Sequence, residues 1–153
     1  MIRPPRCGDG EPVDRFLAGL SLASRYHRFF SGIRHITPDL VRAMTAVVPG
    51  QLVFLALDGD TVVGHVMAVY SAEAAVEIGV VVAEAYQYRG IGRRLVRELA
   101  LVLVGHGLSR MRCDVLSENH FVLEWLRRTL PDIRIERNGE TMTVHGTLAV
   151  LVK

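Results

Sequence analysis

Hydrophobic spacing along the chain changes period twice. Val13, Phe16, Leu17 and Leu20 recur at i, i+3, i+4 and i+7 behind Pro12, which predicts an amphipathic helix over 11–21. Residues 21–31 read the same way, with Leu22, Tyr26, Phe29 and Phe30 as the apolar stripe and Ser21 as the cap. A short third helix is predicted at 37–44, with Thr37 as cap and Pro38 at its first position. From residue 51 the pattern turns β-rich. The runs 51–57, 61–70 and 75–82 predict an antiparallel meander, its first turn made by Asp58-Gly59-Asp60. Leu95, Leu99 and Leu103 then mark a long helix at 91–104, ended by Gly105 and Gly107. A strand at 108–116, a helix at 118–129 and two strands at 133–137 and 140–152, joined by Asn138-Gly139, close the chain. Residues 2–4 predict a short edge strand stopped by Pro4 and Pro5.

The helix at 91–104 crosses between two strands, and a crossover of that length belongs to a parallel pair. The expected fold is therefore α+β: a mixed, mainly antiparallel sheet flanked by helices. At 153 residues, half of them apolar, the chain is expected to form one domain with a substantial core. A net charge of +2 gives no reason to expect nucleic-acid binding, and no apolar run approaches a membrane span. The six histidines are scattered, and the two cysteines, Cys7 and Cys113, form no CxxC pair, so no metal site is expected. Unpaired cysteines and the lack of an apolar leader fit a cytoplasmic protein.

Candidate chemistry is concentrated in the stretch EAYQYRGIGRRL, residues 84–95. A strand runs into a glycine-rich turn that opens a helix. Amides at a helix start lack partners, and the helix dipole adds positive potential, so this is an anion site. Gly90 and Gly92 let the backbone come close to a phosphate, Gln87 and Arg89 are donors, and Arg93 and Arg94 add charge. The Walker pattern GxxxxGK[ST] is absent, and the third glycine of a dinucleotide GxGxxG is missing. Gln87-Tyr88-Arg89-Gly90-Ile91-Gly92 instead reads as [QR]-x-x-G-x-[GA], the pyrophosphate loop of acyl-CoA-dependent N-acetyltransferases.

With this loop, the preceding VEIGVVV and the following SEN…EWLRR, the chain resembles the GNAT superfamily over nearly its whole length. SRYHRFFS, VEIGVVVAEAYQYRGIG and LSENHFVLEWLRR look most like the catalytic domain of Pat-type bacterial protein lysine acetyltransferases. Those enzymes often carry a further regulatory domain, which does not fit in this length. The resemblance implies acetyl-CoA as cofactor, bound by the loop from Gln87 to Arg93, by main-chain groups of Val80 and Val82, and by Asn119. For Asn119 a helix-cap role is an equal reading. The implied acceptor is a primary amine, with a protein lysine as the first choice and a small-molecule amine as the alternative. Homodimerisation is left open.

Amine acetylation requires a base. A lysine amine has a pKa near 10.4, so the neutral nucleophile costs about 4–5 kcal/mol at pH 7. Glu77 is the candidate. It alternates with Gly79 and Val81 on one strand face, and a carboxylate in so apolar a strand is costly without a purpose. The resemblance places the family's general base at the same position. Glu73 and Glu84 are weaker candidates. Many superfamily members carry a tyrosine acid where this chain has Leu126, so thiolate protonation is left to water. A rival reading is a non-catalytic acyl-CoA-binding module; a second is a nucleotide-binding domain. Arg25 and Arg28 in the second helix are expected on a solvated face, with an acidic substrate surface as the alternative. Cys113 is expected in the core.

Overall fold

A computed structural model describes residues 1–30, 35–71 and 75–153. The candidate Glu73 lies outside the described residues. In chain order the elements are β1 (Ile2–Arg3), α1 (Gly10–Gly19), α2 (Leu22–Phe29), α3 (Pro38–Thr45), β2 (Gln51–Asp58), β3 (Thr61–Tyr70) and β4 (Ala75–Val82). They continue with α4 (Ile91–Gly105), β5 (Arg110–Leu116), α5 (His120–Thr129), β6 (Arg134–Asn138) and β7 (Thr141–Thr147). The strands form one sheet in the order β1-β2-β3-β4-β5-β7-β6. All pairs are antiparallel except β4–β5. The expected mixed sheet and its crossover helix are therefore present.

One face of the sheet packs against α4 and α5. Leu95, Leu99 and Leu103 of α4 and Leu123 and Leu126 of α5 join Val66, Val76, Ile78, Met111, Val115 and Val144 in the larger core. The other face is covered over β2 and β3 by α1 and α3, where Val13, Phe16, Leu17, Val41 and Met44 meet Val53, Leu55, Val62 and Val81. The two faces use alternate residues of each strand, as the pleat requires.

Two expectations change. The closing apolar run does not stay extended: β7 ends at Thr147, and Leu148–Val152 wind into a 3-10 helix against α4. Arg97 fastens this segment by donating Nε–H to the Val152 carbonyl at 3.0 Å. Both partner strands stop there, at Arg110 opposite Thr147 and at Arg134 opposite His145, and Leu148 and Leu151 reach the core by winding instead. The second change concerns α2. Its predicted stripe is not its buried stripe, since Leu22 is 64% exposed and Phe30 37%, while Arg25 is buried. Arg25 donates to the Ala18 carbonyl at 2.8 Å.

His65 is fully buried beneath α3, with Nε2 2.8 Å from the Met44 carbonyl oxygen. Burial pushes its pKa down to about 4 from the ordinary 6.5, helped by the nearby Arg28 charge and opposed by the Met44 contact. The unfolded chain thus binds the extra proton first, so this stability is full above pH 6.5 and is lost as pH falls toward 4. A shift of this size amounts to roughly 3 kcal/mol at most. Chemical denaturation from pH 7 down to pH 4 should show stability falling through this window, and His65→Gln should flatten that part of the profile.

Candidate active site

The parallel pairing of β4 with β5 is short. Ala75, Val76 and Glu77 face Arg110, Met111 and Arg112, and there the ladder stops. β5 continues to Leu116 on β7, and β4 continues to Val82 on β3. The two strands diverge beyond Glu77 and leave a fork in the sheet. Ala83 N–H donates to the Val63 carbonyl and Ser71 N–H to the Ala75 carbonyl, which fixes odd-numbered residues as those bonded to β3. The main-chain groups of Val80 and Val82 therefore point into the fork. The Val82 carbonyl accepts a hydrogen bond from Gln87 Nε2 at 2.9 Å.

The fork opens onto the turn before α4. Gly90 is the N-cap in the left-handed region at φ 81°, a conformation costly for any residue with a Cβ. The first helical bond runs from Arg94 N–H to the Gly90 carbonyl, and no side chain caps the helix. The amides of Ile91, Gly92 and Arg93 thus have no acceptor within the helix. Gly92 faces Val82, and a Cβ there would sit 3.6 Å from its Cγ2. Arg89 is exposed and lies over the Tyr86 ring at 5.3 Å. Tyr88, also left-handed at φ 61° and 80% exposed, meets Phe121 of α5 edge-on at 5.0 Å. Asn119 caps α5, its Oδ1 accepting from Val122 N–H at 3.4 Å. Beside the turn, Arg93, Arg128 and Lys153 surround Trp125 in an open basic groove.

Glu77 is exposed on the face opposite α4, at the vertex of the fork. It shares that face with Gly79 and Val81 along β4 and with Arg112 across it. Past β4 this face carries charged side chains instead of a helix: Asp114, Glu136 and His145 follow on β5, β6 and β7. Asp114 accepts from Thr143 Oγ1 at 2.7 Å, and His145 lies 3.5 Å from Glu136. Cys113 points the other way. Burial pushes its thiol up to about 12, with the Asp114 and Glu77 charges adding to the effect, so it is no nucleophile.

The helix α2 closes the face over β4, and four contacts hold it there. Ser21 N–H donates to Glu84 Oε1 at 2.8 Å. Gln87 Nε2 reaches Ser24 Oγ at 3.5 Å. Tyr26 and His27 meet Glu140 and Glu118 at 3.1 and 3.3 Å. Burial alone would raise the Glu84 pKa, but hydrogen bonds from Ser21 and Ser24 outweigh it and hold the carboxyl down at about 2. Glu84 is thus a helix anchor, a role its position in the turn did not reveal. Arg28 is the side chain that sequence reasoning misplaced. It is half-buried on the sheet, with Nη2 3.9 Å from Met67 Sδ. The i, i+3 spacing of Arg25 and Arg28 was the available signal, overridden by the stronger apolar stripe.

The acetyltransferase (GNAT) family profile matches residues 20–130. The chain belongs to the GNAT acetyltransferase family. Solved structures share the fold. The GNAT domain of PAT from S. lividans superposes with a TM-score of 0.85 at 21% identity, covering 95% of this chain and 89% of that one. PaiA N-acetyltransferase from Thermoplasma acidophilum, solved in complex with coenzyme A, gives 0.74 at 17% identity, with 96% and 98% covered. Spermidine N-acetyltransferase from Vibrio cholerae, with CoA and spermine, gives 0.74 at 12% identity, with 100% and 98% covered. No curated protein sequence matches the chain.

In this GNAT acetyltransferase the anchor on α2 should be measurable. Glu84→Ala removes the acceptor for Ser21 N–H, a loss of about 1 kcal/mol by comparison with other helix caps. Thermal unfolding should show the lower stability, and hydrogen exchange should quicken first in the amides of α2.

Proposed function

We propose that this GNAT enzyme transfers an acetyl group from acetyl-CoA to a primary amine by direct attack in a ternary complex. The observation that carries the reading is the fork: β4 leaves β5 at Glu77, and its open side ends on the uncapped amides of α4. Acetyl-CoA is the cofactor of the family, and when bound it supplies the acetyl group as an activated thioester. The residues present suit it. Ile91, Gly92 and Arg93 offer N–H groups to a diphosphate where the helix dipole is positive. Gly90 supplies the left-handed turn that exposes them. Main-chain groups of Val80 and Val82 suit the amide-bearing arm of the coenzyme, and Asn119 closes the β5 side of the fork. The basic groove of Arg93, Arg128 and Lys153 beside Trp125 suits a phosphorylated adenosine.

Glu77 accepts the proton of the incoming amine, directly or through water, because it stands exposed where the fork begins. Val80 N–H faces the fork and suits a carbonyl oxygen that gains negative charge during attack. Transfer would form a nitrogen–carbon bond as the carbon–sulfur bond of the thioester broke, and water would supply the proton for the released thiol. Leu126 is buried and supplies none. Gln87 acts differently from a phosphate donor: its amide N–H₂ group braces the Val82 carbonyl and α2. A protein lysine as acceptor is supported by the sequence resemblance to Pat-type enzymes. A small-molecule amine is the second reading, favoured by the open charged face of β5, β6 and β7 and by the likeness of fold to a spermidine acetyltransferase.

Glu77→Gln should lower kcat/KM by about 10²–10⁴ at neutral pH while CoA affinity, read by calorimetry, stays unchanged. Equal turnover in the two proteins would remove Glu77 from the mechanism. Gly92→Phe should weaken CoA binding at least tenfold, because the ring would fill the space between α4 and Val82. Unchanged affinity would remove the loop assignment, and protection by ATP or NAD in place of CoA would point to a nucleotide-binding domain.

A further inference from the structure

The mechanism leaves Arg28, a half-buried cation beside Glu77, unused. Arg28 reaches from α2 onto β4, and its guanidinium lies on the bare backbone of Gly79. A Cβ at Gly79 would fall 2.6 Å from Cζ and 2.9 Å from Nε and Nη2. Only glycine leaves room for the group there. Nε is buried with no hydrogen-bond partner. Nη2 meets only the weak acceptor Met67 Sδ, and the Phe29 ring lies 5.0 Å from Cζ. Among the described residues no carboxylate is within ion-pair distance of it. Burial lowers its pKa, and the charge of Glu77 partly opposes this. Burying Nε–H of a guanidinium without an acceptor is costly, because the hydration lost at that donor is not replaced.

Its position gives the cost a use. Gly79 is two residues past Glu77 on the same face, so the guanidinium lies about 7 Å along the strand from the proposed base. Arg112 is the register partner of Glu77 on the other side. An amine arriving at Glu77 therefore comes close to the Arg28 guanidinium, while Arg112 lies 3.8 Å from the Asp114 carboxylate. A simple alkylammonium brings nothing that pairs with Arg28. An acceptor with a carboxylate beside its amine brings the missing partner of Arg28, and a guanidinium fork matches a carboxylate in shape as well as charge.

We propose that Arg28 is a specificity-determining residue that holds a carboxylate on the acceptor next to the amine to be acetylated. The inference rests on Glu77 marking where the amine arrives. The carboxylate has two sources: the acceptor's own, in a free α-amino acid, or an aspartate beside the target lysine in a protein.

Two matched pairs distinguish the sources. One is a pool of α-amino acids against the corresponding amino-acid amides. The other is a lysine peptide with Asp next to the lysine against the same peptide with Asn. Each is assayed by thiol release and, independently of turnover, by calorimetric binding to the CoA-saturated protein. The expected result is a preference of tenfold or more for the carboxylate member of one pair. Arg28→Met should abolish the preference and Arg28→Lys should restore part of it, with the CoA-induced thermal shift showing that both variants are folded. If Arg28→Met does not fold, Gly79→Ala displaces the guanidinium and should weaken the same preference. No preference in either pair by either readout, or a preference that survives Arg28→Met, overturns the proposal. Carboxylate-dependent binding without turnover would uphold it while counting against catalysis.

Discussion

Two neighbouring strands of this sheet share only three residue pairs, and the rest of the site follows from where they part. A strand that loses its partner leaves main-chain donors and acceptors exposed along one edge, which is unfavourable unless something else satisfies them. β5 avoids the problem on its far side through seven pairs with β7, and β4 through seven pairs with β3. The inner edges are left unpaired. That edge, the uncapped amides of α4 and the carboxylate at the vertex come together where the two strands diverge. The proposed reading sets the amide-bearing arm of the coenzyme on that edge and its diphosphate on the α4 amides.

The fork is covered differently on its two faces. α4 and α5 fill the face beneath it with leucine and valine, and this face carries no chemistry. On the other face α2 packs over β4, and polar bonds tie it to the turn: Glu84 to Ser21, and Gln87 to both Ser24 and Val82. The turn that suits the coenzyme and the helix that bounds the acceptor side are thus one mechanical unit. Electrostatics on this face is consistent with that division. Arg28 keeps its charge under α2, and its neighbour His65 stays neutral partly because of it. Cys113 lies on the opposite face, its thiol pushed up by burial.

Much of this was legible in one dimension. The three long strands, the crossover helix, the Gly90 turn and the alternation of Glu77 with Gly79 and Val81 depend on local patterns of period 2 or 3.6 and on turn chemistry. Such signals survive without tertiary context. The face of α2 did not. Its apolar stripe at Leu22 and Phe30 was the stronger periodic signal, yet the helix rests on a glycine at a diverging strand, where a flat guanidinium fits and a bulky apolar group does not. The end of β7 failed for a similar reason. Leu148–Val152 has strand composition, but the neighbouring space belongs to α4, and the run winds to reach it.

From its residues alone the chain determined which segments are helix and strand, the left-handed turn that bares the α4 amides, and the face on which Glu77 stands. These are properties of the backbone and of its immediate neighbours in sequence. Only the folded molecule decided where β4 stops pairing with β5, that Glu84 and Gln87 serve as struts, and that Arg28 lies desolvated over Gly79. Each of these joins groups dozens of residues apart, and their energies come from which surfaces are left uncovered after the sheet has formed.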